Sequence, residues 1–186
     1  MKGRIFLIAL LALALAQAAL ATTPLQEKAI EALKQAHDEP NGSIYEHGGM
    51  IVANQGTLRY IEPHPDNAQP DGVIAYDKST LLAGDTMVAT YHTHPCMVRY
   101  FHQYFSVPDV IIAIYTTAPA FMLDECTGDV HEFFTAIDKV HETGGDVDVQ
   151  MNCKSKTVHQ PTGRIVGNIG VKDPPHVNSE PVTCPK

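Results

Sequence analysis

The spacing of apolar residues predicts a helix directly after the apolar run that opens the chain. Five apolar residues recur at intervals of three and four, as on one face of an α-helix: Leu25, Ala29, Ala32, Leu33 and Ala36. Thr23 is a suitable N-cap, because Pro24 takes the first helical position and Gln26 lies three residues after the cap. We therefore predict a helix from Pro24 to about His37, ended by Glu39-Pro40-Asn41-Gly42.

Segments rich in β-forming residues predict three strands in the next part of the chain. Ile44–Ala53 and Thr57–Glu62 flank the turn Asn54-Gln55-Gly56, a pattern typical of a hairpin. Residues 63–72 contain three prolines and two aspartates, which indicates a surface loop. Asp85–His94 ends at Pro95, and its composition predicts a third strand.

The second half of the chain continues with shorter elements. Val107–Thr116 is apolar enough for a buried helix, with Ser106 as its cap. Phe121–Asp124 and Asp129–Phe134 flank the turn Cys126-Thr127-Gly128 and predict a second hairpin, followed by a short helix at 136–141. From Gly144 onward the chain is rich in Gly, Pro, Asn and Asp, and only Arg164–Val171 is predicted as a strand.

This order of elements predicts an α/β fold with a mixed sheet and helices packed on it. The length of 186 residues suits one domain, which we assign to residues 22–143. Residues 144–186 are then a Gly- and Pro-rich C-terminal extension.

Residues 1–21 have the three parts of a secretory signal peptide. Lys2 and Arg4 form a basic start, residues 5–16 are an unbroken run of Ile, Phe, Leu and Ala, and small residues follow. The run is marginal for a membrane span, which needs about 20 apolar residues. We expect cleavage after Ala18 or Ala21 and a periplasmic or secreted protein without a stable membrane anchor.

The charge balance argues against a nucleic-acid partner. The chain has 13 basic and 21 acidic residues and a formal net charge of −8, whereas proteins that bind nucleic acid through their surface carry a basic excess. The apolar fraction of 44% and charged fraction of 18% fit a folded domain rather than a disordered chain.

In an exported protein, an even number of cysteines favours disulfides. Cys96, Cys126, Cys153 and Cys184 allow three pairings, and the sequence does not choose among them. We favour Cys96–Cys126 with Cys153–Cys184, because the second bond would fix the C-terminal extension. The absence of CxxC pairs makes a structural zinc ribbon a poor alternative.

The segment His92-Thr93-His94-Pro95 is the first candidate for chemistry. Residues two apart in a strand point to one face, so both imidazoles can reach one ion. Asp109, in the first turn of the helix capped by Ser106, is a suitable third ligand. Two imidazoles and a carboxylate form a tetrahedral zinc site with an open position, and zinc lowers the pKa of bound water to about 7.

A zinc site of this kind also needs a proton shuttle that is not itself a ligand. Glu46 is the candidate, because its predicted strand can pair near the histidines. Glu62 also precedes them, but Pro63 follows it at a strand end, where a surface role is expected. His47 faces away from the site if Glu46 faces it. A Ser106 hydroxyl near the metal can donate to an oxyanion, and this role is compatible with capping.

Glu46 with Gly49 three residues on, then His92-Thr93-His94-Pro95, then Ser106 and Asp109 resemble the motif of the JAMM (MPN+) zinc metalloproteases. The resemblance covers residues 24–140. It implies a curved sheet between helices, with a cytidine-deaminase-like architecture, and one zinc ion on His92, His94 and Asp109. It also implies that Glu46 is the general acid/base and that Ser106 stabilises the tetrahedral intermediate. The family hydrolyses peptide or isopeptide bonds.

Ten residues, 96–105, separate Pro95 from Ser106, where the family pattern has about six. This aromatic insertion can line a substrate groove, carry a disulfide at Cys96 or cover the site; Cys96 can alternatively be a further ligand. We expect an exported zinc metallopeptidase that acts on a peptide, an isopeptide or a cell-wall peptide. The alternative is a non-enzymatic module that binds zinc or a partner.

Overall fold

The computed structural model of the protein describes residues 22–61, 80–96, 103–135, 143–151 and 154–176. Two helices lie in these ranges, α1 (Pro24–Asp38) and α2 (Val107–Thr116). The strands of the same ranges are β1 (Gly48–Asn54), β2 (Thr57–Tyr60), β3 (Thr86–His94), β4 (Ala120–Asp124), β5 (Asp129–Phe133), β6 (Gly145–Met151), β7 (Lys154–Gln160) and β8 (Arg164–Asn168).

The helix α1 begins as the sequence predicts. The Thr23 hydroxyl accepts a hydrogen bond from the Gln26 N–H at 3.2 Å, and the Gln26 side chain accepts one from the Thr23 N–H at 2.8 Å. This reciprocal capping box satisfies two N–H groups that the start of a helix leaves unpaired. Local sequence therefore determines where α1 starts.

Six strands form one curled mixed sheet in the order β2-β1-β3-β4-β5-β8. β3 and β4 are parallel, with α2 as the crossover between them, and the other neighbouring pairs are antiparallel. The predicted mixed sheet with helices is therefore confirmed. β3, which carries both histidines, lies in the interior of the sheet between β1 and β4.

The two helices pack on opposite faces of this sheet. Tyr91, Phe121 and Leu123 belong to the core cluster that includes α1. Met122, which alternates with them along β4, packs with Ala113 of α2 in a second cluster. His92 is the register partner of Met122, so the two histidines lie on the α2 face of the sheet.

The first strand is shorter than predicted at its start. The N–H groups of Ile44 and Tyr45 both bond the carbonyl of Asn41, which has a positive φ of 66°, so this stretch forms a turn. β1 begins only at Gly48. Glu46 therefore precedes the strand rather than lying within it.

The C-terminal extension is more regular than its composition predicts. β6 and β7 form a separate two-stranded sheet where no strand is predicted, and β8 is the edge strand of the main sheet beside β5. Val147 and Val158 are register partners in this small sheet, and Val147 belongs to a stretch in which apolar and polar residues alternate. Such alternation indicates paired strands. The nearby Gly and Pro residues obscure this alternation.

The prediction that α2 is buried is wrong. Only Ala113 of α2 is fully buried, whereas Ile111, Ile114 and Tyr115 face outward and are 45, 49 and 84% exposed. The exposure of α2 follows from how the helix packs on the rest of the protein. Among the described residues, α2 packs through Val110 and Ala113 into a small cluster with Phe105, which precedes the helix, and with the sheet residues Ala120, Met122 and Phe133.

Several predictions fall on residues outside the described ranges. These are the signal peptide at 1–21, the loop at 63–72, Glu62, most of the insertion, the helix at 136–141, Cys153 and Cys184. Within the described residues, no helix has the length and apolar character needed to cross a membrane.

Candidate metal centre

Three side chains converge at the end of β3 and the start of α2. His92 and His94 extend from β3 on the same face, and Asp109 lies in the first turn of α2. The potential ligand atoms of these three residues all lie within 4.8 Å of one another. The structure therefore brings together the three residues that the sequence predicts as ligands, and they could hold a metal ion.

The separations between the individual donor atoms are short and similar. The two imidazole Nε2 atoms are 3.1 Å apart. The Asp109 Oδ2 atom is 3.4 Å from Nε2 of His92 and 3.7 Å from Nε2 of His94. Both imidazoles thus direct the same nitrogen toward one carboxylate oxygen, and three electron-rich atoms surround a small common space.

Electrostatics keep the Asp109 carboxylate ionised. Burial alone would raise the pKa of Asp109, but the neighbouring His92 and, to a smaller extent, His94 outweigh burial and hold the pKa well below its usual range. Asp109 is therefore a negatively charged group beside two imidazoles, as a ligand for a cation should be.

Ser106 fixes the position of Asp109. Oδ2 of Asp109 accepts hydrogen bonds from the Ser106 N–H at 2.7 Å and from the Ser106 hydroxyl at 2.6 Å. The sequence predicts Ser106 as a cap, and the structure confirms that role. The only hydroxyl proton of Ser106 points at the candidate ligand, an arrangement typical of residues that orient metal ligands.

Glu46 lies beside the three predicted ligands. Its Oε1 atom is 3.7 Å from Nε2 of His94. Its side chain is 18% exposed, whereas that of His92 is 3% exposed. The structure thus places Glu46 beside the predicted ligands and within reach of solvent. His47, on the other side of the chain, is buried, and its Nδ1 lies 2.9 Å from the Tyr45 carbonyl.

Phe105 packs against His92, a contact that no pattern in the sequence indicates. The two rings meet edge-on, with centroids 6.2 Å apart, and Phe105 is completely buried. Within the part of the chain that the structure describes, the buried Nδ1 of His92 has no hydrogen-bond partner. The packing of Phe105 therefore restricts an imidazole that lacks the second hydrogen bond usual for a metal-binding histidine.

A disulfide links the ends of β3 and β4 next to the site. Cys96, two residues after His94, is bonded to Cys126 in the turn after β4, which confirms the first of the two favoured pairings. Because Cys96 is oxidised, it offers no thiolate, and the alternative of Cys96 as a further ligand is wrong.

Comparison of the chain with protein-family models, with curated proteins and with solved structures gave no match.

Proposed function

We propose that the protein is an exported zinc-dependent hydrolase that cleaves an amide bond, either peptide or isopeptide. The observation that carries this proposal is the convergence of two imidazoles and one carboxylate, with a second carboxylate, Glu46, beside them. The motif that resembles the JAMM proteases supplies the same assignment from sequence. A secretory signal pattern and the Cys96–Cys126 disulfide support export.

The donor set fits zinc. Nitrogen and carboxylate ligands bind zinc at about 2.0–2.1 Å, and a tetrahedron of such bonds has edges of about 3.3–3.4 Å. The three separations between the donor atoms, 3.1, 3.4 and 3.7 Å, are close to these edges. Three protein ligands with one position left for water or substrate are typical of catalytic rather than structural zinc.

A zinc ion held by His92, His94 and Asp109 would supply Lewis acidity, polarising the scissile carbonyl and making water acidic enough to ionise near neutral pH. Glu46 then acts as the general acid/base. Its carboxylate accepts a proton from the attacking water and later donates that proton to the nitrogen of the departing amine. The partial exposure of Glu46 suits this role, because the carboxylate must reach both water and substrate.

Ser106 has two functions in this proposal. Its hydroxyl bond to Asp109 keeps the carboxylate directed at the histidines. When substrate is bound, rotation of the hydroxyl away from Asp109 would allow it to donate to the oxyanion of the tetrahedral intermediate.

The test combines metal analysis with a search for substrate. Purified protein is loaded with zinc, its metal content is measured, and it is incubated with a pool of peptides, isopeptides and cell-wall peptides that is then analysed by mass spectrometry. We expect one zinc ion per chain and cleavage at an amide bond. Zinc binding with no cleavage in any pool would support the non-enzymatic alternative and overturn the proposal.

Two variants and one control assign the roles. Glu46→Gln should retain zinc and lose about 100- to 10,000-fold in turnover, because the variant cannot transfer the proton. Asp109→Asn should bind zinc at least about 10-fold more weakly, since a neutral amide replaces the anionic ligand. Glu31→Gln, on the exposed side of α1, removes the same charge away from the site and should change neither property. Full activity of Glu46→Gln would refute the role of Glu46.

A further inference from the structure

Thr93 lies between the two histidines of β3, but its side chain points to the opposite face of the strand. It is completely buried. Its hydroxyl accepts a hydrogen bond from the His47 N–H at 3.0 Å and donates a longer one to the Tyr45 carbonyl at 3.4 Å. The two backbone groups that Thr93 contacts therefore belong to the residues directly before and after Glu46.

The position of Glu46 follows from this segment. Gly48 pairs with His92, and the Thr93 N–H bonds the His47 carbonyl at 2.8 Å. The antiparallel register thus continues before the first residue of β1 and places Glu46 opposite His94, on the same face of the sheet. This agrees with the 3.7 Å between Oε1 of Glu46 and Nε2 of His94.

Before Glu46 the backbone leaves the pairing with β3 and enters a turn. Tyr45 belongs to the turn closed by its N–H bond to the Asn41 carbonyl. Glu46 therefore lies at a junction between a turn and a strand, and contacts on both sides hold the backbone next to it. Two groups act on the Tyr45 carbonyl: the Thr93 hydroxyl and, at 2.9 Å, Nδ1 of His47.

We propose that Thr93 is a positioning residue for Glu46. From the face of the sheet opposite to the histidines, its hydroxyl bonds the backbone on both sides of Glu46 and so fixes the Glu46 carboxylate relative to His94. One strand segment thus performs two tasks: His92 and His94 present ligand atoms on one face, while Thr93 holds the proton-transfer residue from the other. The catalytic consequence rests on the proposed function, whereas the positional claim does not.

The first test compares Thr93→Val with Thr93→Ser. Valine has nearly the same shape but lacks the hydroxyl, and serine retains the hydroxyl without the methyl group. Because misplacement of a catalytic group by about 1 Å can cost about 100-fold in rate, we expect Thr93→Val to lower kcat by about 10- to 100-fold. KM and zinc affinity should stay within about 3-fold, since the ligands and the substrate surface are unchanged.

Rescue and a matched control separate positioning from general destabilisation. Thr93→Ser should keep kcat within about 3-fold of the unaltered protein. Thr90→Val removes a buried hydroxyl from the same strand at a position opposite Met50, four residues from Glu46, and should also leave kcat within about 3-fold. The proposal is overturned if Thr93→Val keeps its full kcat, or if Thr93→Ser loses as much kcat as Thr93→Val.

A structural readout tests the positional claim without any substrate. Crystal structures of the zinc-loaded protein and of Thr93→Val should show the Glu46 carboxylate displaced by about 1 Å or more in the variant, or in several conformations, with the three ligands unmoved. Thr93→Ala replaces Thr93→Val if the valine variant does not fold. An unmoved Glu46 carboxylate would refute the positional claim even in an active enzyme. A displaced carboxylate in a protein that cleaves nothing would uphold that claim and refute the proposed function.

Discussion

Replacing Glu125 by Gln should make the free energy of unfolding less dependent on pH. Glu125 follows β4, and its side chain is completely buried, with Oε2 2.8 Å from Nδ1 of His37 at the end of α1. Burial raises the pKa of Glu125 from 4.5 to about 7, although the ion pair with His37 opposes this shift, and the charges of Asp124 and Asp38 add to it.

The direction of the pH effect follows from proton binding. Unfolded chains release the Glu125 proton near pH 4.5, whereas the folded protein holds it until about pH 7. Stability from this group is therefore complete below the unfolded pKa and is lost as the pH rises through the folded pKa. With these two values, the loss between about pH 5 and pH 8 is about 2–3 kcal/mol.

Urea unfolding of the disulfide-bonded protein, with a chelator present, measures this quantity. The difference in unfolding free energy between Glu125→Gln and the unaltered protein should shift in favour of the variant by about 2–3 kcal/mol from pH 5 to pH 8. The new amide adds an offset that does not depend on pH, so the slope is the test. Glu31→Gln, on the exposed side of α1, should show no such shift. Parallel pH curves for Glu125→Gln and the unaltered protein would refute the reasoning.

Three further predictions concern other parts of the structure. Ser106→Ala removes the hydroxyl bond to Asp109 and should cost about 1 kcal/mol in unfolding free energy, measured with urea, and about 10-fold in zinc affinity, measured by competition with a chelator. Ser155→Ala in the exposed strand β7 is the control. Unchanged zinc affinity of Ser106→Ala would contradict the role of Ser106. Replacing Cys96 and Cys126 together by Ser opens a loop with a separation of 30 residues and should cost about 3–4 kcal/mol in urea unfolding, so a loss below about 1 kcal/mol would be inconsistent with a constrained unfolded state. Ile114→Ser on the exposed face of α2 should change the unfolding free energy by no more than about 0.5 kcal/mol, whereas Phe133→Ala in the core should cost about 3–5 kcal/mol; equal costs would mean that α2 is buried after all.

The ligands of the candidate site could be predicted from the sequence because the position of each depends on residues close to it in the chain. The period of two in a strand places His92 and His94 on one face, and the capping box places Asp109 in the first turn of α2. The residues that contact the ligands and Glu46 from outside the site could not be predicted in this way. Thr93 and Phe105 act through contacts with residues distant in sequence or across the sheet, and no spacing rule reports such contacts.

The errors about the fold have the same origin. The apolar composition of Val107–Thr116 correctly predicts a helix, but the degree of burial depends on how much of the sheet remains for that helix to cover. Composition likewise suggested an irregular tail, because glycines and prolines around β6 and β7 mark turns as well as disordered segments. The pairing of β8 with β5 joins residues more than thirty apart, and only the assembled sheet determines it.

Because its ligands come from different elements, the proposed metal site exists only in the folded protein. His92 and His94 come from an interior strand and Asp109 from a helix on one face of the sheet, so the three ligands form one site only where the strand and the helix pack together. Zinc would therefore bind the native chain and stabilise it by mass action, by about 2.7 kcal/mol at 100 times the dissociation constant. A chain without its metal ion would open more often and be degraded sooner by any protease present, so the steady-state amount of this protein would follow the metal supply.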